Sequence, residues 1–478
     1  MTSAITPGDG FPDSPDFPDF PDFPAGFRGQ VLRPGDHGYD EARAVNNGRA
    51  ADEGPALIAR CLDEDDVATV LRYASATRTP VAVRGGGHGY DGHAMPGGAL
   101  VVDLSALRAI AVDPVERTVR AQAGVTLGDL DAATQKYGLV VPSGTVTSTG
   151  LAGLTLGGGI GHLMRRYGAT VDNLLACEMV TVDGRRVRAD ADTEPELFWA
   201  LRGGGGNFGV VTTFEYQAHQ MGTQAVAGFA VYGLHEASDM LAALDGVMAE
   251  APRELGLVAT ITPAPPLPMI PEQAHGRPVL ILSPVFTGDP ATADAVLKPL
   301  LGLSTPLANL IQPTTWLQAN SMLDETAPYG KRAASRSGYL PAITAETAAA
   351  VLERAAAATP GWGGTINLIA MGGAITEDAD EDATAFPRAG AAWTWQAVAL
   401  WDSPGQDTGY DQWAADTAAA LAPHSLPTGY VNLTTDQGEQ WRRNLWGSEA
   451  RFRRLRRAKG AWDPHNLLRF NKNITPAV

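Results

Sequence analysis

Residues 84–93 read RGGGHGYDGH. Three consecutive glycines, Gly85, Gly86 and Gly87, strip the chain of side chains and permit positive φ. Backbone of this kind turns successive N–H groups toward one point, which suits an anion. His88 is the odd member of the cradle. It is placed to cap the turn, sense protons, bind a metal, or attach to whatever lies there.

The flanking sequence is a strand on either side. PVAVR (80–84) runs into the loop and ALVVDLS (99–105) follows it, with ALIARC (56–61) a third short strand. Between them DEDDVATVLRYASATR (63–78) is acidic first and basic last. Its apolar Val67, Val70, Leu71 and Ala74 recur at helical spacing. AIAVDPVERTVRAQAG predicts two strands around a turn, and LGDLDAATQKYG (127–138) a helix. LVVPSGTVTSTG (139–150) predicts a strand and loop, and LTLGGGIGHLMRRYGAT (154–170) a glycine-dense loop, then a brief helix. LLACEMVTVDG and RRVRA predict a hairpin over Asp183-Gly184. PELFWALRG (195–203) reads as a helix and VVTTFEYQAH (210–219) as a strand.

The remainder sorts into blocks. Residues 1–30 contain the repeating PDF triplets, with Pro against helix and Asp repelling Asp, and predict a disordered acidic tail. In a minority reading Phe17, Phe20 and Phe23 form a partner motif. Residues 31–220 form the first part of one domain. Residues 221–424 change texture, with Pro-rich loops, Ala-rich helices and long strands such as VLILSPVF (279–286), TINLIAMGG (365–373) and AAWTWQAVALW (391–401). Residues 425–478 end in NLLRFNKNI, a segment expected to return to the first domain.

The 478 residues carry a formal charge of −17, which argues against nucleic acid and anionic membranes as partners. No stretch is long and apolar enough to span a bilayer, and MTSAITPGDG lacks the features of a signal peptide. Two cysteines, Cys61 and Cys177, exclude a disulfide framework and suit the reducing cytoplasm. No spacing suggests a zinc site. Arginine outnumbers lysine and alanine is abundant, as in high-GC bacterial translation.

Two more glycine clusters follow the first, GGGIG (157–161) and GGGGNFG (203–209). Gly204, Gly206 and Gly209 fit G-x-G-x-x-G, but a helix precedes them and a strand follows. The dinucleotide fingerprint requires strand, loop, then helix, so this is no nicotinamide-type fold. Three neutral, backbone-rich clusters point instead to a long phosphate-bearing cofactor lying across a domain.

RGGGHGYDGHA, GTVTSTGLAGLTLGGGIGHLMRRYG, VDNLLACEMVTVDG, ELFWALRGGGGNFGVVT, AFPRAG, YVNL and DPHNLLRFNKNI occur in one order. Together they resemble the berberine-bridge-enzyme-like branch of the vanillyl-alcohol-oxidase superfamily. The resemblance implies an α+β fold: a two-subdomain PCMH-type FAD-binding domain and an inserted substrate domain whose antiparallel sheet is backed by helices. It implies bound FAD, its pyrophosphate wrapped by 84–90, and a covalent bond from His88 to the flavin 8α carbon. The cofactor set it implies is Arg84, Gly85, Gly86, Gly87, His88, Gly89, Tyr90, Ser148, Gly150, Gly153, Leu154, Gly158, Gly161, His162, Gly206, Val211, Tyr430, Asn432 and Asn471, with no metal.

The chain departs from the pattern in two places. A second tether, a Cys in many relatives, falls at Val146, so attachment through His88 alone is expected. Plant members often place a His near flavin N1; here that position is Leu154. No strong base stands out. On TINLIAMGG the inward positions include Asn367, Ile369 and Met371, and on AAWTWQAVALW Thr394 or Gln396. Gln396, Asn367 and Tyr430 are the catalytic candidates, with Tyr167 a second phenol and His162 either a base or a packing residue. Trp393, Trp395 and Trp401 share a face, either packing on helices or, with Trp362, walling the flavin.

The expected activity is that of an oxidase, passing hydride from a small alcohol, amine or polyketide-like intermediate of secondary metabolism to flavin N5, with O2 as acceptor and H2O2 as product. The alternatives are a cyclase or oxygenating enzyme on the same scaffold, or a flavin-binding protein with little turnover. The partners are a small molecule and O2, in a monomer or homodimer.

Overall fold

Two small sheets carry the glycine loops. In the first, Leu57–Arg60, Leu100–Asp103 and Val81–Arg84 are neighbouring parallel strands, with Gln30–Leu32 antiparallel at one edge. Each parallel strand is an apolar, mostly buried run ending in a charged residue, as strands covered on both faces require. In the second, five antiparallel strands run in the order Ile110–Asp113, Thr118–Gln122, Val210–Gln217, Leu174–Val180, Arg186–Asp190. This computed structural model describes residues 20, 23–264, 266, 268, 270–358 and 363–477.

Between the sheets, helix Glu64–Thr77 begins where the acidic run predicts. The Asp63 carboxylate accepts from the N–H groups of Asp65 and Asp66. Its Val67, Val70, Leu71 and Ala74 are fully buried. Helix Leu127–Thr134 starts at Thr126, which forms a capping box with Asp129. The Asp183-Gly184 hairpin forms as read, with Gly184 at φ 80.

The insert is built on a nine-stranded antiparallel sheet. Its central strands are Leu255–Pro263, Thr365–Ala370, Trp393–Trp401 and, at one edge, Arg332–Leu340. Alternation divides its two faces. Trp393, Trp395 and Trp401 point toward helices, their indole N–H groups donating to Asp245, Ser425 and Asp407. Trp401 also stacks on Tyr410 at 4.5 Å. These three therefore pack the sheet on its helices and form no wall over the site; Trp362 lies outside the described residues. The other face is turned toward the glycine loops.

The C-terminal stretch returns to the first sheets, with Val81 N–H donating to the Leu467 carbonyl. Lys459, fully buried, donates to the Asp463 carboxylate and to the carbonyls of Asn207 and Leu468. At the other end, Phe20 and residues 23–30 of the stretch expected to be a disordered tail are placed against the fold. Phe20 is buried in the main core, and Phe23 meets Phe27 and Tyr73 edge-on. Apolar burial outweighs the disordering composition there. Residues 1–19, Phe17 included, lie outside the described residues.

Candidate flavin and substrate site

A six-residue helix, Leu151–Leu156, gathers all three glycine clusters. At its start Gly150 lies against Gly86; a Cβ on either would come within 2.3 Å of the other's amide nitrogen. At its end the Leu156 carbonyl accepts from both Gly203 and Gly205 N–H. The second cluster, Gly157–Gly159, continues directly from it, with Gly158 and Gly159 at φ 127 and 84. The sequence predicts only a loop here, because a six-residue run with Gly153 inside it and glycines at both ends is too short to carry a helical signature.

Along these loops and this helix, three glycines face open space: at Gly89, Gly153 and Gly206 an added Cβ meets nothing within 4 Å. Gly153 is also the exposed position of an otherwise buried helix. Among the described residues, the N–H groups of Gly86, Gly87, His88 and Gly89 have no protein acceptor. An open groove edged by free backbone donors fits the pyrophosphate of a dinucleotide. Asn471 fits the same groove. Its amide donates to the Gly206 carbonyl at 3.2 Å, and its buried Oδ1 has no partner among the described residues.

His88 lies beside the groove. Its Nε2 is 3.0 Å from Ser148 Oγ, and the Tyr329 ring meets it edge-on at 5.2 Å. Burial holds its pKa down, to about 4, so the imidazole is neutral. Tyr329 also donates to the Gly86 carbonyl at 3.0 Å. Val146 stands in the same segment with no thiol; Cys61 and Cys177 are free and buried in the core.

The sheet face opposite is neutral and hydrogen-bonded. Thr260 donates to Asn367 Oδ1 at 2.9 Å, and Asn367 Nδ2 to Gln396 Oε1 at 3.3 Å. Gln396 Nε2 then donates to Ser335 Oγ and, across the cleft, to Tyr90 OH, both at 3.0 Å. Thr262 and Thr365 pair one step along, at 2.9 Å. Alternation brings Thr260, Thr262, Thr365, Asn367, Ile369 and Gln396 to this face. Gln396 and Asn367 are thus joined to each other and to the His88 loop; the sequence reading named both as catalytic candidates. It missed Thr260, Thr365 and Ser335, although period-two spacing marks them once the strands are paired.

The other expected site residues take the following places in the fold. Arg84 donates to the Ala42 and Ala44 carbonyls and so fixes the entry to the loop. Val211 is a core residue. Tyr430 is buried; its hydroxyl accepts from Gly159 N–H at 3.1 Å and from Asn432 Nδ2 at 2.9 Å. Burial pushes its phenol up to about 12, so it acts as a neutral brace for the glycine loop. Asn432 also donates to the Leu154 carbonyl at 3.1 Å. Leu154 is buried under Gly144 and Gly159, and Gly161 lies tight against the Ser143 carbonyl. Gly85 faces Ala123 and Ala152. Met371 is buried beyond the strand and accepts from Thr394. Tyr167 stacks on His219 at 4.2 Å.

His162 is wedged between the domains, its backbone against Gly256. Both ring nitrogens lack partners among the described residues, and burial lowers its pKa to about 4. A cavity of about 10 Å³ beside it has room for roughly one water. No cluster of metal-ligating residues occurs among the described residues, and no helix there is long and apolar enough to cross a membrane.

The fold and groove define an FAD-binding protein with an inserted substrate sheet. Family comparison agrees: residues 55–190 match the FAD binding domain, and residues 429–475 match berberine and berberine-like proteins. The chain belongs to the berberine-bridge-enzyme-like, PCMH-type FAD-linked oxidoreductases. It is 28% identical to an uncharacterised FAD-linked oxidoreductase, YgaK, of Bacillus subtilis, over 94% of this chain and 97% of that one. It is 29% identical to (R)-6-hydroxynicotine oxidase of Paenarthrobacter nicotinovorans, over 94% and 97%. The crystal structure of 6-hydroxy-D-nicotine oxidase from Arthrobacter nicotinovorans superposes with a TM-score of 0.84 at 26% identity, covering 95% of this chain and 99% of that one. A berberine-bridge-enzyme-like protein of the moss Physcomitrella patens shares the fold, with a TM-score of 0.82 at 20% identity and 94% and 97% coverage.

Proposed function

We propose that this protein is an FAD-dependent oxidase, singly tethered to its flavin through His88, acting on a small organic alcohol, amine or polyketide-like substrate. The observation that carries the reading is the hydrogen bond from Gln396 to Tyr90, which joins the substrate sheet to the loop of His88. FAD, when bound, would supply a two-electron acceptor for a substrate hydride, with O2 as the terminal acceptor and H2O2 as product.

The chain's own residues bind, orient and exclude water. The free N–H groups of 86–89 and the open positions at Gly153 and Gly206 hold the cofactor's phosphates and chain. Asn471 and Asn432 steady the backbone beside them. Gln396, Asn367 and Thr260 orient the substrate's polar group by neutral hydrogen bonds. Burial raises the pKa of the Tyr90 phenol, so it serves as a neutral hydrogen-bond partner and not as a resting phenolate. None of these groups is a strong base at neutral pH, which suits a substrate whose proton passes to water.

A hydrogen peroxide assay across small alcohols and amines tests the reading. One peroxide per substrate oxidised is expected. Turnover that consumes O2 without peroxide would favour an oxygenating enzyme, and turnover without net O2 uptake a cyclase. Anaerobic substrate should bleach the flavin; a flavin left coloured by every substrate would mark a binding protein.

A further inference from the structure

The Ser148 hydroxyl has no evident place in holding a phosphate, yet it touches the one imidazole in the cradle. We propose that Ser148 is the positioning residue for self-attachment of the flavin: it accepts from His88 Nε2–H and thereby leaves the Nδ1 lone pair free to form the bond. This rests on the reading of His88 as the single tether.

Three observations carry it. First, Ser148 Oγ is 3.0 Å from Nε2, and the Ser148 backbone also bonds the ring, so this one residue orients the imidazole. The bond made by one ring nitrogen sets the tautomer and hence the character of the other. Second, the ring is clamped: Tyr329 lies edge-on at 5.2 Å and is itself held by its bond to the Gly86 carbonyl. Third, the Ser148 segment is held from the substrate domain. The Asp324 carboxylate accepts from Thr147 N–H at 2.7 Å and Thr147 Oγ1–H at 2.5 Å. The nearest carboxylate influence on His88 also comes from Asp324. The attachment site is thus completed by residues 324–329 of the insert, about 240 positions along the chain from Gly86.

The step balances as follows. An N–C bond forms between Nδ1 and the flavin 8α methyl carbon, and one C–H bond of that methyl breaks. The electron pair passes into the ring system, which ends reduced by two electrons. One proton leaves the methyl and one leaves Nε2 along the Ser148 hydrogen bond, and the reduced ring takes up two. O2 then withdraws the pair with two protons as H2O2. A neutral imidazole with a fixed tautomer is the nucleophile this chemistry requires.

The test compares Ser148→Val with Ser148→Thr, similar in shape but differing in the hydroxyl, alongside wild type and His88→Ala. The full-length protein is sampled over a time course after induction. Acid-stable flavin fluorescence on the denatured chain is divided by total flavin bound before denaturation. Wild type and Ser148→Thr should tether quickly and His88→Ala not at all. Ser148→Val should tether at least tenfold more slowly. Equal initial rates for the Val and Thr variants would overturn the role of Ser148. A wild-type chain that releases all its flavin in acid would instead overturn the tether itself.

Discussion

Gly86 and Gly150 meet backbone to backbone, each occupying the space where the other's side chain would begin. This contact joins the His88 loop to the helix that gathers the other two glycine clusters. Its consequence is local and large. Gly86→Ala or Gly150→Ala should destabilise the fold by about 1–3 kcal/mol, the usual cost of overpacking, and lower flavin content. Gly153→Ala is the matched control, since nothing lies within 4 Å. Its stability should hold or rise, by up to about 1 kcal/mol from helix propensity, while FAD affinity falls. Thermal melting and flavin absorbance per chain measure both; a Gly153→Ala chain binding FAD normally would remove that position from the groove.

Gln396 bridges Asn367, Ser335 and Tyr90. Gln396→Leu should reduce kcat/KM about 10–100-fold, as expected for two or three lost hydrogen bonds at about 1 kcal/mol each. Flavin content should be unchanged. The loss should appear with any substrate found in the peroxide assay, and steady-state kinetics measure it.

Tyr430 braces Gly159 and carries a phenol raised to about 12. A raised pKa favours the protonated form, so its contribution is present below pH 10 and fades as pH climbs toward 12. Tyr430→Phe should therefore lower stability by about 1–2 kcal/mol at neutral pH. The pH dependence of kcat between 6 and 9 should not change. A pH-rate limb abolished by Tyr430→Phe would show that this phenol is the base after all.

Asp131 is buried between the two domains, accepting from Trp316 Nε1 at 3.1 Å and Asn320 Nδ2 at 2.7 Å. Burial raises its pKa to about 6. The folded state then binds a proton more tightly than the unfolded chain does, so this contribution is full below about pH 4 and is lost as pH rises through 6. The difference is about 2–3 kcal/mol. Asp131→Asn, compared with wild type by urea unfolding at pH 4 and pH 7, should gain relative stability at the higher pH. A constant difference would show that Asp131 keeps an ordinary pKa.

His162 behaves oppositely. Its pKa is lowered to about 4, so its contribution is present above about 6.5 and is lost as pH falls through 4. Both nitrogens lack partners among the described residues, so His162→Leu removes a buried polar group that gains nothing. The variant should be as stable as wild type at pH 7 and more stable at pH 4.5, with flavin content unchanged. A drop in flavin would restore His162 to the cofactor groove.

Much of this molecule was legible from residue patterns alone. Helix Glu64–Thr77 could be read from an acidic N-cap followed by apolar residues every third or fourth position, and the 183–184 hairpin from Asp-Gly. These are local signals, set by backbone sterics and by which face must leave water. Helix Leu151–Leu156 and the buried Phe20 were not legible, because tertiary packing there overrides weak propensity. Among cofactor candidates, the glycines of 86–89 and Asn471 stand in the groove, whereas Arg84 and Val211 serve the frame.

The sequence by itself determined that a phosphate-bearing cofactor needs three side-chain-free loops and that one histidine stands within them. Only the tertiary structure decided which polar side chains meet across the cleft. Thr260, Asn367 and Gln396 sit on three separate strands and become one hydrogen-bonded row through register, which Tyr90 joins from the His88 loop, while Tyr329 and Asp324 of the insert hold Gly86 and Thr147. Register and docking depend on contacts between residues hundreds of positions apart, and no local pattern encodes those.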